Sequence, residues 1–199
     1  MDITWLGENS FNVKDELINI IINPTKKTVD SSILTEESVV LFTESDNDYK
    51  TNLPIVNSPG EYEINNASIL GVANGVTKDQ ERSISTSYRI ESRGLSVATV
   101  GMIGSPFDSE ALSALSSSHI AIFSPNNSNI DSEILANTIR SIEPRKILVS
   151  GFDKKTSAAS KELDSIVKVF GLKDFEPKNK VSITLNNLGD AQEIIILEN

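Results

Sequence analysis

The chain has 199 residues and a formal net charge of −10, with 38% of its residues apolar and 23% charged. That length suits one domain, residues 1–199, with a sizeable core, and the composition is that of a soluble globular protein. The acidity disfavours sequence-independent nucleic-acid binding, which depends on neutralising phosphates, and the lack of cysteine excludes disulfides, thiol nucleophiles and Cys-ligated metals.

In chain order, Ile3–Leu6, Ser10–Val13 and Leu17–Ile22 read as short strands, the last stopped by Asn23-Pro24. The longest apolar run, Ile18–Ile22, is interrupted by Asn19 and has strand length, so no membrane span is expected. Met1–Trp5 carries neither a basic nor an apolar leader stretch, and the expected location is cytoplasmic. Ser38–Phe42 is a buried-type strand that runs into the polar stretch 43–51. Pro59-Gly60 marks a turn, and Tyr62–Ile64 and Ser68–Val72 form a strand pair about Asn65-Asn66. Ser83–Glu91 alternates, with Ile84, Thr86, Tyr88 and Ile90 on one face, and Arg93-Gly94 turns it into Leu95–Val100.

The second half alternates helix and strand. Phe107–Ser117 is a predicted helix with Asp108 as N-cap, followed by the strand His119–Phe123. Asp131–Ile142 places Ile134, Leu135, Ile139 and Ile142 at helical spacing, and Pro144 ends it before the strand Lys146–Val149. Ser160–Phe170 is a third helix, with Gly171 where a left-handed C-terminal glycine belongs. Val181–Leu185 and Glu193–Leu197 close the chain as an expected β-hairpin. Two mixed β-sheets face to face, flanked by helices, accommodate this order as an α+β fold.

Residue identities add to this pattern. Ile3-Thr4-Trp5-Leu6-Gly7-Glu8-Asn9-Ser10-Phe11 resembles the I-T-W-L-G-H-S-x-F opening of the lactonase-like branch of the metallo-β-lactamase superfamily. Asn57-Ser58-Pro59-Gly60-Glu61-Tyr62-Glu63 is similar to its G-P-G-E-Y-E segment, and Ser85–Glu91 to its N-T-x-Y-x-I-E strand. Val100–Gly104 is similar to L-G-D-x-G and Ile142–Ile147 to L-E-P-K-x-V, while Phe170-Gly171-Leu172 and Pro177–Ser182 resemble the family's C-terminal end. The matches are collinear along nearly the whole chain. The resemblance implies a four-layer αββα sandwich and, in its active members, hydrolysis by water bound to one or two metal ions.

The same resemblance locates the metal ligands, and here they are replaced. The family's T-H-x-H-x-D-H loop reads Thr43-Glu44-Ser45-Asp46-Asn47-Asp48-Tyr49, with acids at the H-x-H pair, Asp48 retained and Tyr49 last. The L-G-D aspartate is Met102, the late-strand histidine is Gly151, the opening-motif histidine is Glu8, and the aspartate after the third strand is Asn23. Zinc needs three or four N, S or carboxylate ligands at about 2.0–2.3 Å. The single histidine, His119, aligns with the head of a strand rather than with a ligand.

Three functional readings follow. The first is a pseudoenzyme with no cofactor, using its fold for binding, assembly or regulation with a protein or small-molecule partner, and expected to form a homo-oligomer. The second is a remodelled site in which Glu8, Glu44, Asp46 and Asp48 hold Ca²⁺, Mg²⁺ or Mn²⁺, with residual hydrolysis. Against it stands the plain reading of those acids as solvated loop residues. The third is metal-free hydrolysis by Ser10, Ser58, Ser105 or Ser150 with Lys26, Lys27, Lys154 or Lys155 as base, for which the sequence offers no triad.

Overall fold

The computed structural model describes residues 1–44, 48–78 and 81–199, and side chains outside 76–83. Among these residues one sheet comprises β1 (Asp2–Gly7), β2 (Ser10–Lys14), β3 (Asn19–Ile22), β4 (Ser38–Leu41), β5 (Ile55–Val56) and β13 (Lys180–Ser182), in the order β13-β1-β2-β3-β4-β5. The other comprises β6 (Gly60–Ile64), β7 (Ala67–Lys78), β8 (Glu81–Ser92), β9 (Leu95–Thr99), β10 (Ile120–Phe123), β11 (Lys146–Asp153), β12 (Ala158–Ala159) and β14 (Glu193–Glu198). Its order is β12-β11-β10-β9-β8-β7-β6, with β14 also beside β11. Both sheets are mixed: β3–β4–β5 and β9–β10–β11–β14 run parallel and the remaining pairs antiparallel.

The sheets face each other because their strands carry apolar residues at period two. Ile3, Trp5, Ile20, Ile22, Val39 and Leu41 from one side meet Ile69, Tyr88, Ile90, Ile120, Ile122 and Leu148 from the other in a single buried cluster. The parallel strands carry unbroken apolar runs, Ile20–Ile22, Val39–Leu41, Ile120–Phe123 and Ile147–Val149, because both their faces are covered. The outward side chains of the larger sheet, including Ala121, Phe123, Ile147 and Val149, pack in a second cluster with helix residues. Those residues come from α1 (Ser109–Leu115), α2 (Ser132–Arg140) and α3 (Lys161–Phe170), among them Leu115, Leu135, Ile139, Leu163 and Ile166. On the outer face of the smaller sheet, Ile21 and Val40 are fully buried. There Asn19 Nδ2 donates to the Ile33 carbonyl at 2.8 Å and ties down a 3₁₀ turn, Ser31–Ile33, in the place of an α-helix.

The helix ends follow the sequence. Asp108, Asp131 and Ser160 cap α1, α2 and α3, accepting from Ala111, Glu133 and Leu163 amides, and Gly171 closes α3 at φ 73°. The helices are shorter than predicted: after α1, Ser117 turns out at φ 62°, and beyond α2, Glu143 does so at φ 60° before Pro144. Asn65 and Asn66, at φ 50° and 63°, make the tight turn between β6 and β7.

The expected terminal hairpin is corrected. β13 pairs with β1 in the smaller sheet, while β14 runs parallel to β11 in the larger. Between them the Thr184 capping box starts a 3₁₀ turn, Leu185–Asn187, and Gly189 sits at φ 72°, so the chain crosses from one sheet to the other. The predicted face of β8 also divides. Thr86, Tyr88 and Ile90 are buried, whereas Ile84 is 61% exposed because β9 ends at the Tyr88↔Thr99 pair. No helix among the described residues is long and apolar enough to cross a membrane.

Candidate functional site

The positions singled out by the ligand pattern gather at one end of the sandwich. Glu8 lies in the β1–β2 turn, Asn23 follows β3, Glu44 and Asp48 follow β4, Met102 follows β9, and Gly151 is late in β11. Ligand sites in sheets with parallel strands sit outside such carboxyl ends. Glu8, Asn9, Asn23, Phe42, Glu44 and Asp48 line one open cavity of about 230 Å³. Three of the four predicted acidic residues are thus brought together, and Asp46 lies outside the described residues.

The geometry of those acids is that of solvent-facing groups. Glu8 and Asp48 are exposed and Glu44 is partly buried. Glu8 takes a left-handed conformation at φ 50°, which turns its carbonyl inward to accept from Trp5 Nε1 at 2.9 Å. Its carboxylate lies 4.0 Å from Lys27 Nζ in an exposed pair. Among the described residues no group of three or more His, Cys, Asp or Glu side chains converges as a metal cluster.

Asn23 is committed to the scaffold. Its Oδ1 accepts from Thr43 N at 2.8 Å, and its Nδ2 donates to Thr43 Oγ1 at 2.9 Å and to the Asn9 carbonyl at 3.4 Å. Ser10 Oγ donates to the Asn23 carbonyl and lies 2.8 Å from Thr28 Oγ1. One amide therefore clamps the ends of β3 and β4 to the β1–β2 turn. An aspartate there would lack the Nδ2 donor. The strap continues into the other sheet: Thr86 N donates to the Thr43 carbonyl at 2.6 Å, and the buried Tyr88 hydroxyl donates to the Phe42 carbonyl at 2.9 Å. Burial pushes the Tyr88 phenol far above its ordinary pKa, so it stays a donor at all physiological pH.

Met102 and Gly151 are equally committed. Met102 is partly buried and its Sδ accepts from Asn129 Nδ2 at 3.8 Å, joining the loops after β9 and β10, which also meet at the Ile103↔Ser128 bridge. Gly151 stands at φ +124°, and a Cβ there would come within 3.0 Å of Ser160 Oγ and 3.1 Å of Leu163 Cβ. The Gly151 carbonyl accepts from Ser160 N at 2.8 Å. The start of α3 is seated on this glycine, where any side chain would intrude. A zinc site does not fit this donor set: Asn23 is spent on backbone, Met102 is a thioether, and Gly151 offers nothing.

His119 lies at the opposite end of β10. It is five residues before Ser124, roughly 16 Å away at about 3.3 Å per residue. Its Nδ1 accepts from Ser96 N at 3.2 Å and lies 2.8 Å from Ser96 Oγ, which fixes the neutral tautomer with the proton on Nε2. Burial, then the Arg145 and Arg89 charges, hold its pKa below the ordinary 6.5. Of the candidate nucleophiles, Ser10 is in the clamp, and Ser58 Oγ is 2.9 Å from the Tyr62 hydroxyl. Ser105 is exposed, and Ser150 is fully buried. Lys154 is paired with Glu198 at 2.8 Å. The clamp residues Asn9, Thr28 and Thr43 escaped sequence reasoning. Their only signal was that short polar residues stand at successive strand ends.

Comparison with known proteins agrees with the fold. A proposed Zn-dependent hydrolase of the metallo-beta-lactamase superfamily from Thermotoga maritima superposes with a TM-score of 0.76 at 17% identity, covering 99% of this chain and 98% of its own. Igni18, a metallo hydrolase from Ignicoccus hospitalis, gives 0.56 at 13% identity over 74% of this chain and 81% of its own. The metallo-beta-lactamase fold protein YhfI from Bacillus subtilis gives 0.55 at 8% over 74% and 84%. No curated protein matches the chain by sequence. Residues 2–149 match the family described as Beta-lactamase superfamily domain. That match runs from the first strand into β11, so the chain belongs to this family and has the metallo-β-lactamase fold.

Proposed function

We propose that this protein is a pseudoenzyme: a metallo-β-lactamase-fold scaffold used for binding, assembly or regulation, as a homo-oligomer or with a protein or small-molecule partner. The observation that supports this most is Gly151. The position of the expected late-strand ligand has a backbone conformation and a helix seat that disfavour a side chain. Asn23 and Met102 support the same reading, since each has a structural partner where a ligand is expected. Structural relatives named as hydrolases make the test direct. The purified chain, supplied with Zn²⁺ or Mn²⁺, is expected to turn over lactone, ester and phosphodiester substrates no faster than buffer. Chelator-sensitive turnover that scales with enzyme would overturn the reading.

One observation favours a second reading. Glu8, Glu44 and Asp48 line the same cavity, and hard carboxylate oxygens suit Ca²⁺, Mg²⁺ or Mn²⁺ and residual hydrolysis. A cation-dependent rise in melting temperature that disappears in Glu44→Gln would favour it. Equal melting with each cation and with chelator would leave the pseudoenzyme reading alone.

A further inference from the structure

A second cavity lies at the other end of the sandwich. It measures about 650 Å³ and opens between the start of β1, the β2–β3 turn, the β8–β9 turn and the segment after β13. Such a volume is in the range of small-molecule sites. Met1 and Glu8 are seven residues apart along β1, so the cavity is roughly 23 Å from the site described above, at about 3.3 Å per residue.

Its floor is apolar: Leu95 and Ile183 are 6% and 2% exposed, and Leu185 overhangs it at 57% exposed. A buried hydroxyl also lines it. Ser92 is 2% exposed, on the same face of β8 as the core residue Ile90, and its Oγ has no hydrogen-bond partner among the described residues. A buried hydroxyl without a partner carries a desolvation cost that a polar ligand atom would relieve.

The rim charges decide the sign of the ligand. Asp2 is held below its ordinary pKa by Lys180 and Ser182. Glu16 is paired with Arg93, and the Asp15 carboxylate accepts from Leu17 N at 2.8 Å and Ile18 N at 3.1 Å. Lys14, exposed on the rim, has no ion pair among the described residues. Two rim carboxylates have cationic partners and Asp15 is held by backbone amides, while the ammonium groups of Lys14 and Met1, the latter donating to the Ile183 carbonyl, have no ion pair among the described residues.

We infer that this cavity binds a small amphipathic carboxylate. Its apolar body lies over Leu95, Ile183 and Leu185, its carboxylate reaches Lys14, and Ser92 supplies a hydroxyl contact. This site is independent of the proposed pseudoenzyme role.

The test is calorimetric titration of the full chain with octanoate, octylammonium and octanol, with amide shift mapping. Octanoate is expected to bind saturably at one site, with shifts at 92–95 and 183–186, and octylammonium not to bind. Lys14→Glu is expected to weaken octanoate about fivefold or more, because a surface charge pair near 4 Å in water is worth about that factor and here becomes a repulsion. Leu185→Asp is expected to abolish binding, and Glu44→Gln at the other end to leave it unchanged. Both cavity residues are exposed, so their variants fold. No saturable binding, equal binding of octylammonium, or octanoate affinity unchanged in Lys14→Glu and Leu185→Asp would each overturn the inference.

Discussion

Gly151→Ala is expected to destabilise the protein far more than a methyl group in a strand ordinarily does. The residue stands at φ +124°, and a side chain held in so sparsely populated a region costs about 1–3 kcal/mol. Its Cβ would come within 3.0 Å of Ser160 Oγ, the group that caps α3 through Leu163 N at 3.1 Å. Displacing that cap adds about 1 kcal/mol. Leu163 Cβ, 3.1 Å away on the first turn of the helix, blocks the alternative shift. The total is about 2–4 kcal/mol, which for a chain of this size lowers Tm by roughly 4–16 °C. Gly171→Ala separates the two causes: its φ is +73° and nothing lies within 4 Å of the added Cβ, so it carries backbone strain alone. Thermal melts of both variants by circular dichroism, with urea titrations, measure the difference. If Gly151→Ala melts within about 2 °C of the parent, less than 1 kcal/mol by the same conversion, the seat is wrong and a histidine could return there.

Three further outcomes follow from the strap and the lone histidine. Tyr88→Phe removes the donor to the Phe42 carbonyl and leaves that buried acceptor unpaired, so the urea midpoint should fall by about 1–3 kcal/mol equivalent with an unchanged m-value. Asn23→Asp removes the Nδ2 donor that holds Thr43 Oγ1 and the Asn9 carbonyl; a loss of about 1–3 kcal/mol is expected, without a gain in zinc affinity by equilibrium dialysis. His119 has a folded pKa below its unfolded 6.5, through burial and then Arg145 and Arg89, with Glu91 opposing. Below that value the unfolded chain binds a proton that the folded chain refuses. Stability should therefore be full above about pH 7.5 and decline as pH falls through 6.5, levelling off beneath the folded pKa, and His119→Gln should flatten the slope.

The sandwich was legible because its signals are local. Period-two runs such as Ile3–Trp5 and Ile20–Ile22 mark strands, while Asp108, Asp131, Ser160 and Gly171 mark helix ends. The partners of the last two strands were not legible, since pairing is a long-range property. Lys180–Ser182 joins Asp2–Thr4 from the far end of the chain, and no local residue announces it. For the site the sequence offers an expectation only, replaced ligands at single positions such as Met102 and Gly151, which can be read one at a time. Their replacement duties were hidden. The Asn23 clamp joins the ends of two strands to a turn, and the Gly151 seat joins a strand to a helix, so each depends on contacts across the fold.

Those duties divide the altered positions into two groups with different reversibility. Glu8, in the β1–β2 turn, and Glu44, in a β-bridge with Ser85, line an open cavity, and the left-handed backbone of Glu8 is one that histidine also adopts. Asn23 and Gly151 are fixed by hydrogen bonds or packing that the expected ligand side chain would break. Glu8→His and Glu44→His should therefore each change stability by within about 0.5 kcal/mol, as surface substitutions do, measured by urea denaturation at pH 7.5. The double variant should still fail to retain Zn²⁺ on gel filtration, because positions 8, 44 and 48 line an open cavity without converging as a metal-holding group. A double variant that retains one equivalent of Zn²⁺ would show that the interior positions are not the barrier. A loss above about 2 kcal/mol in either single variant would show that these carboxylates hold structure.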